Sequence, residues 1–582
     1  MKIYIFIVTL TILLLTAACG PGMSKLTKPS LVGQTYTLTF DSNTGTGAIP
    51  ESRTLKVGEK TTLPIASTLS KTGAGLTHWS ESSDGSDTNL TVGSSFTMPA
   101  RNVTLYAKWT DDVYVVSFDG GNKTSGTLPD IMLVNDGDTA TIPGVGSLEK
   151  VVDNESLSFV GWNTSDDKSG TFYSASDTIT ISGASVHLYA SWKDITFVSP
   201  LGDDSTGKGT KSKPYKSIEK AITESLDYSE IRIANGTYNT TSTLNLKNAM
   251  DIKGSYDSNT WVQNLDGFQT EILSSQSVGI LCDTKIKPFV VEGLKLVVDP
   301  SSSVNGIELE ECPNATIRNN YIKVIYTSNG TTRGIVINAT LNTSNATIES
   351  NIVYSEAGRY TYGIFISYLR DGSTLEINNN VIHAVKINSM NGAPTSIYIN
   401  AGSGTKTLNV RNNTMVFGRH NPDTSSALGE SDGSNASTLN VYFDNNIVFG
   451  ATAVDGTYPT AGIYQGNNST WNLVSLKNNN FFQLNSMLVS LKNSQDYTTI
   501  VDLENGVGAA ATDNISVDMI AGGYFQDPNN MDYSLSATAP TSISEGGLKG
   551  DDLGWGFSKD ILGQTRTGSL GTGWSMGAHE KD

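Results

Sequence analysis

Glu308, Glu310 and Glu311 fall within four positions, and Arg333 follows 23 residues after Glu310. Three carboxylates and a guanidinium brought together could share protons as an acid/base cluster, or could form only a solvated acidic patch. A second set carries recognition chemistry. Phe365, Tyr398 and Tyr464 are interleaved with Asn338, Ser367 and Asn400. Sugars present apolar CH faces and many hydroxyls, so ring faces beside amides and hydroxyls suit them. The alternative is that the rings only stack on one another along a sheet. Metal chemistry has less to work with: His78, His187, His383, His420 and His579 are scattered without zinc-ligand spacing. Asp203-Asp204 resembles a calcium-ligand pair, but the ion takes roughly six to eight oxygens and no Asp-x-Asp-x-Asp loop follows. A turn is expected there, and neither a metal nor a cofactor for the chain.

These residues must be positioned by a repeat. An apolar residue, two fillers, an Asn and more apolar residues recur six times: Ile317-Arg-Asn-Asn320, Ile348-Glu-Ser-Asn351, Ile377-Asn-Asn-Asn380, Val410-Arg-Asn-Asn413, Phe443-Asp-Asn-Asn446 and Leu476-Lys-Asn-Asn479. From Asn320 to Asn479 the steps are 31, 29, 33, 33 and 33 residues, a period that signals stacked supersecondary units. A second signature precedes each Asn: Gly306-Ile-Glu-Leu309, Gly334-Ile-Val-Ile337, Gly363-Ile-Phe-Ile366, Ser396-Ile-Tyr-Ile399 and Gly462-Ile-Tyr-Gln465. Period-2 alternation places Ile and Leu on one face, so short strands wind around a narrow apolar core. The expected fold is all-β, a parallel β-helix. An Asn at one turn of every coil would bond backbone groups that a tight bend leaves unpaired. The outward residues are then Glu308 and Glu310, Val336 and Asn338, Phe365 and Ser367, Tyr398 and Asn400, and later Tyr464. One coil offers carboxylates and the next offer none, which argues against a catalytic cluster.

The net charge of -18 makes nucleic acid an unsuitable electrostatic partner. Only 16% of residues are charged, against 57 Gly, leaving a surface rich in Asn, Ser and Thr, as in secreted β-proteins. Lys2 precedes an apolar run from Ile3 to Leu15 and then Thr16-Ala17-Ala18-Cys19-Gly20. Such a run is too short to span a bilayer but suits a signal peptide. Its end resembles a bacterial lipoprotein lipobox. That resemblance implies a leader over 1–18, lipidation of Cys19, and a tether over 19–34 that joins the protein to a lipid bilayer at the outer surface of the cell envelope. An ordinary signal peptide cleaved near Ala18 is the alternative. Cys282 and Cys312 lie 30 residues apart, about one coil, which permits a disulfide. Cys282 aligns with Leu309, however, so a buried thiol is the expectation.

Residues 35–110 and 111–193 read as two copies of one module. Leu38-Thr-Phe40-Asp41 matches Val116-Ser-Phe118-Asp119, Leu76-Thr-His-Trp79 matches Phe159-Val-Gly-Trp162, and Leu105-Tyr-Ala-Lys-Trp109 matches Leu188-Tyr-Ala-Ser-Trp192. A Gly turn leading to Pro64 and Pro143 recurs as well. Gly turns and alternation make each a small β-rich domain with its Trp residues in the core. The modules resemble Listeria–Bacteroides repeats, which implies β-grasp-like extracellular spacers.

Residues 194–582 open with Phe197-Val-Ser-Pro200 and Pro214-Tyr-Lys-Ser217-Ile-Glu-Lys-Ala221-Ile222. Ser217 is placed to cap a short amphipathic helix over 218–225 that closes the apolar core. The exit contains Tyr524-Phe-Gln-Asp527, Asp532-Tyr-Ser-Leu535, Asp560-Ile-Leu-Gly563-Gln-Thr-Arg566 and Met576-Gly577-Ala578-His579-Glu580. Opening and exit resemble those of bacterial surface proteins with a pectate-lyase-like right-handed β-helix. Enzymes of that fold use acidic calcium ligands beside an Arg or Lys, or paired carboxylates in an Asn-Thr-Asp, Asp-Asp, Gly-His-Gly, Arg-Ile-Lys series. That series is not present as a set. A chondroitinase-like lyase has no compact motif to test. The expectation is therefore a lipid-anchored surface protein whose β-helix binds a glycan or a surface protein, with a polysaccharide lyase or hydrolase, or an architectural protein without a ligand, as alternatives.

Overall fold

The computed structural model describes residues 33–578, apart from 66–67, 88, 285–286, 327, 358, 387–391, 401, 419–424, 431–436, 451–459, 467–469, 485–486, 492–494, 521, 523, 528–531, 537 and 545–575. The leader, Cys19, His420, His579 and the run from Asp560 to Arg566 lie outside the described residues. The described residues form two compact units, one from 33–150 with 161–191, the other from 151–160 with 192–578.

In the first unit each module holds a mixed five-stranded sheet. In copy one, Thr35–Asp41 runs parallel to Val103–Asp111, which pairs antiparallel with Ala74–Ser80. In copy two, Val113–Asp119 runs parallel to Val186–Trp192 in the same way. The shared motifs have local reasons. Trp79 donates its indole N–H to the Pro64 carbonyl and Trp162 to that of Pro143, both at 2.8 Å. Phe40 and Phe118 meet those indoles at centroid distances of 5.0 and 4.7 Å. Trp79, Trp162 and Trp192 are buried core, as expected, whereas Trp109 stays partly exposed.

The second unit is a parallel β-helix. Each coil gives three strands, as in Ala315–Arg318, Tyr321–Tyr326 and Thr331–Ala339. Successive coils build sheets of eleven, nine and ten strands. Stacking is in register: Ile317 lies against Ile348, Ile322 against Val353 and Ile335 against Ile364. These six residues are fully buried, so a one-residue slip of any coil would drive its apolar set to the surface. The helix Ile218–Glu224 caps the first coils, with the Ser217 hydroxyl accepting from the Lys220 N–H at 3.2 Å. Ile218, Ala221 and Ile222 are its buried face. At the far end Ile500–Val507 buries Leu503.

The cysteines depart from expectation. Cys282 does point inward against Leu309, but it is bonded to Cys312. Glu311 sits at φ 54°, a left-handed turn that swings Cys312 back toward the core.

Candidate functional site

At each turn from the eleven- to the nine-stranded sheet the predicted Asn is fully buried. Asn351 Oδ1 accepts from both the N–H and Nδ2 of Asn320, at 3.1 and 3.0 Å, while Asn351 Nδ2 donates to the Ile317 carbonyl at 2.8 Å. The same pattern links Asn380, Asn413, Asn446 and Asn479. It continues to Asn514, which the repeat pattern did not reveal because its coil carries Ala511 where the others carry a large apolar residue. The residue before each Asn adopts φ between 52° and 59°: Asn319, Ser350, Asn379, Asn412, Asn445, Asn478 and Asp513. Asn tolerates that left-handed conformation better than most residues do, which accounts for the Asn-Asn pairs. The file is spent on backbone.

Three outer faces remain. On the nine-stranded sheet, Val381, Val416, Ile447, Phe449 and Phe482 are outward yet buried, because Met519, Phe525, Leu535, Ile543 and Met576 pack over them. The exit segment therefore occupies that face. On the eleven-stranded sheet the residues stacked just before the turn are Arg232, Lys253, Glu292, Arg318, Glu349, Asn378, Arg411 and Asp444. From Lys253 to Glu349 the signs alternate. Arg318 Nε meets Glu292 at 2.8 Å, and burial raises the Glu349 carboxyl against the opposing pull of Arg318. This column largely neutralises itself.

The ten-stranded sheet is different. A Cβ added to Gly334 or Gly363 would meet the inward side chains of Val353 or Ile382 at 2.2 Å. Two successive residues therefore face inward at each of these glycines. The residues on either side of such a pair both lie on the outer side of the sheet: Arg333 and Val336, Tyr362 and Phe365, and, around Gly306, Asn305 and Glu308; Val336 and Tyr362 are buried there. Phe365 pairs with Tyr398, and their rings stack at 5.2 Å and 7°. Tyr362, absent from the sequence reading, joins them at 5.0 Å from Phe365 and 4.7 Å from Tyr398, and Tyr360 follows at 6.4 Å. The alternation Tyr360-Thr-Tyr362 was the signal available for these two. Arg333 lies over Phe365 at 4.6 Å and Arg359 over Tyr360 at 4.8 Å, both within cation–π range. Tyr464 stands two coils beyond Tyr398, with Gly429 between them.

The polar neighbours are rearranged. A register shift after Ile337 sets Asn338 against Tyr368 and leaves Ser367 out of the expected column. Asn400 is exposed at the strand end. Asn338 Nδ2 donates to Glu310 at 3.3 Å, and Asn305 Nδ2 to Glu308 at 3.0 Å. Glu311 leaves the expected cluster altogether. Its carboxylate accepts the N–H groups of Thr340, Leu341 and Asn342 at 2.6 to 3.1 Å. Burial pushes that carboxyl up, but these bonds reverse the effect and hold it below its ordinary value. Arg333 donates to Asn305 at 3.2 Å, makes no ion pair among the described residues, and its Nε is buried without a partner. Burial lowers its pKa. Glu308 and Glu310 are thus held by amides and not by Arg333. The arrangement is a ring platform with a cation beside it, without a carboxylate–guanidinium ion pair for proton transfer. At the entry of the β-helix Asp203 and Asp204 do turn chemistry, accepting from Ser205 and Thr206 and from Lys216 and Ser217.

The architecture defines a parallel β-helix that follows two β-rich repeats in the sequence. Residues 36–108 and 114–191 match the Listeria-Bacteroides repeat domain, and residues 201–447 match a family of proteins of unknown function, DUF1565. A provisionally named Gly-rich membrane protein of Evansella cellulosilytica is 31% identical over 196 residues, covering 33% of this chain and 22% of that protein. A second membrane protein of that organism, also provisionally named, is 32% identical over 93 residues, 16% of this chain and 13% of its own length. The chain thus spans less than a quarter of the curated relatives it matches. The crystal structure of pectate lyase Pel9A is similar over 67% of this chain and 97% of its own, at 14% identity and a TM-score of 0.38.

Proposed function

We propose that this is a cell-envelope surface protein whose β-helix binds glycans on the outer face of its ten-stranded sheet. The carrying observation is the cluster of Tyr360, Tyr362, Phe365 and Tyr398 with Arg333 against it. Ring faces beside amides, hydroxyls and a guanidinium offer both surfaces a sugar needs. An envelope location is supported by the Cys282–Cys312 disulfide, which persists in oxidising compartments. The leader expected over 1–18, just before Cys19, and the relatives named as membrane proteins point the same way. The two repeats would hold the β-helix off the membrane to which Cys19 is attached.

The test is retention of the purified protein on polysaccharide columns, with release of unsaturated or reducing ends scored in parallel. Phe365→Ala with Tyr398→Ala should abolish retention while the melting temperature barely moves. Retention intact with a sharp fall in melting would make the stack structural. Release of sugar ends would instead make the protein an enzyme. Cys19→Ala should shift the protein from the detergent phase to the aqueous phase.

A further inference from the structure

We propose that Trp109, in the first N-terminal repeat, is a second carbohydrate-binding platform, separate from the β-helix face. The two repeats share the closing Trp but treat it differently. In the second, Trp192 is 3% exposed, with Phe159 against it at 5.6 Å. In the first, the residue matching Phe159 is Leu76, which pairs with Trp109 and leaves the indole partly exposed. The ring is nevertheless fixed. Its Nε1 donates to the Ser42 carbonyl at 3.0 Å, and Gly45 lies so close that an added Cβ would fall 2.3 Å from Cζ2. With its N–H satisfied, the indole offers a ring face and not a donor, and a fixed ring costs little entropy on binding.

Two clefts, of about 140 and 210 Å³, both have Trp109 and Lys71 in their walls. The larger is polar, lined also by Asn43, Ser82, Asp84 and Lys108. Asp84 is held down to about 2 by hydrogen bonds from Ser86 and Ser82, so it is an acceptor at any physiological pH. Lys71 is exposed and outside any ion pair among the described residues. Each cleft is smaller than the roughly 300 Å³ at the low end of ordinary ligand pockets. Such a site takes a flat ring laid on the indole, with hydroxyls reaching the polar wall. A sugar ring meets both demands, whereas an apolar side chain would strand the polar groups.

The experiment uses the full chain carrying Phe365→Ala and Tyr398→Ala, which leaves any binding by the repeat alone to be measured. Cello-oligosaccharides, chito-oligosaccharides and a uronate-bearing oligosaccharide are titrated by calorimetry. At least one should bind, Trp109→Ala should weaken it tenfold or more, and Lys71→Ala should weaken the uronate probe most. Should Trp109→Ala melt the repeat, Trp109→Phe combined with Lys71→Ala replaces it, and a tenfold loss in that pair supports the site. No binding by any probe at millimolar concentration overturns this inference while leaving the β-helix reading untouched. So does an affinity that none of these substitutions alters.

Discussion

Asn413→Ala removes one member from the middle of a buried file, and the loss can be counted. Asn413 Oδ1 accepts from the N–H and Nδ2 of Asn380 at 2.9 and 3.0 Å, and its Nδ2 donates to the Ile377 carbonyl at 2.8 Å. Alanine leaves the Asn380 N–H and the Ile377 carbonyl without these partners. Asn413 and its neighbours Asn380 and Asn446 are all 0% exposed, so water does not reach the vacated groups. Each buried group left unsatisfied costs about 1–3 kcal/mol, so two such groups put the destabilisation at about 2–6 kcal/mol. Urea unfolding followed by far-UV circular dichroism should show a lower midpoint with little change in slope. Asn400→Ala, at an exposed strand end, is the control and should stay within about 0.5 kcal/mol of the parent. A loss below about 1 kcal/mol for Asn413→Ala would refute the reasoning, since it would mean that the file is decorative.

Ser350 is the one residue in the left-handed column that is neither Asn nor Asp, at φ 55°, so Ser350→Asn should stabilise by about 0.5–1 kcal/mol in the same assay. Glu311 has its folded pKa depressed. Its contribution is therefore present above the ordinary carboxylate range and lost as pH falls through the folded value. The stability gap between parent and Glu311→Gln, about 2 kcal/mol at neutral pH, should be flat there and close in acid; a gap that widens in acid would contradict the sign. Cys282→Ser opens a 30-residue link and should cost about 3–4 kcal/mol on the loop-entropy relation, matched by adding reductant to the parent.

Strand stacking was legible because its signal is periodic: Ile317, Ile348 and Ile377 each announce a coil, and burial of one face forces the register. The turn residues were legible for the same reason. Pairings that depend on a local break in alternation were not. The shift after Ile337 that replaces Ser367 by Tyr368 leaves no trace in residue type. The inward pair at Gly363 moved Tyr362 outward, against strict period-2 counting. The Cys282–Cys312 bond was not legible, because a left-handed Glu311 is invisible in a sequence where Glu ordinarily avoids that conformation. Trp109 shows a different limit. Its motif is shared with Trp192, and the two indoles differ in the residue set against them, Leu76 beside Trp109 and Phe159 beside Trp192.

The Asn file has a direction. Every Nδ2 from Asn320 to Asn479 donates toward the Oδ1 one coil nearer the C-terminus, ending at Asn514. Seven side-chain amides thus lie head to tail along the axis, each polarising the next. Such an array can be lengthened or shortened only by whole members. Duplicating one Asn-bearing coil adds a link that fits both neighbours, whereas a few residues inserted inside a strand would interrupt the chain of donors. Spacings of 29 to 35 residues between members show where variation is absorbed, in the connections between sheets and not in the links. A protein built this way can change its reach by gene duplication without redesigning its core, and the number of aromatic rows it offers to solvent would change in the same steps.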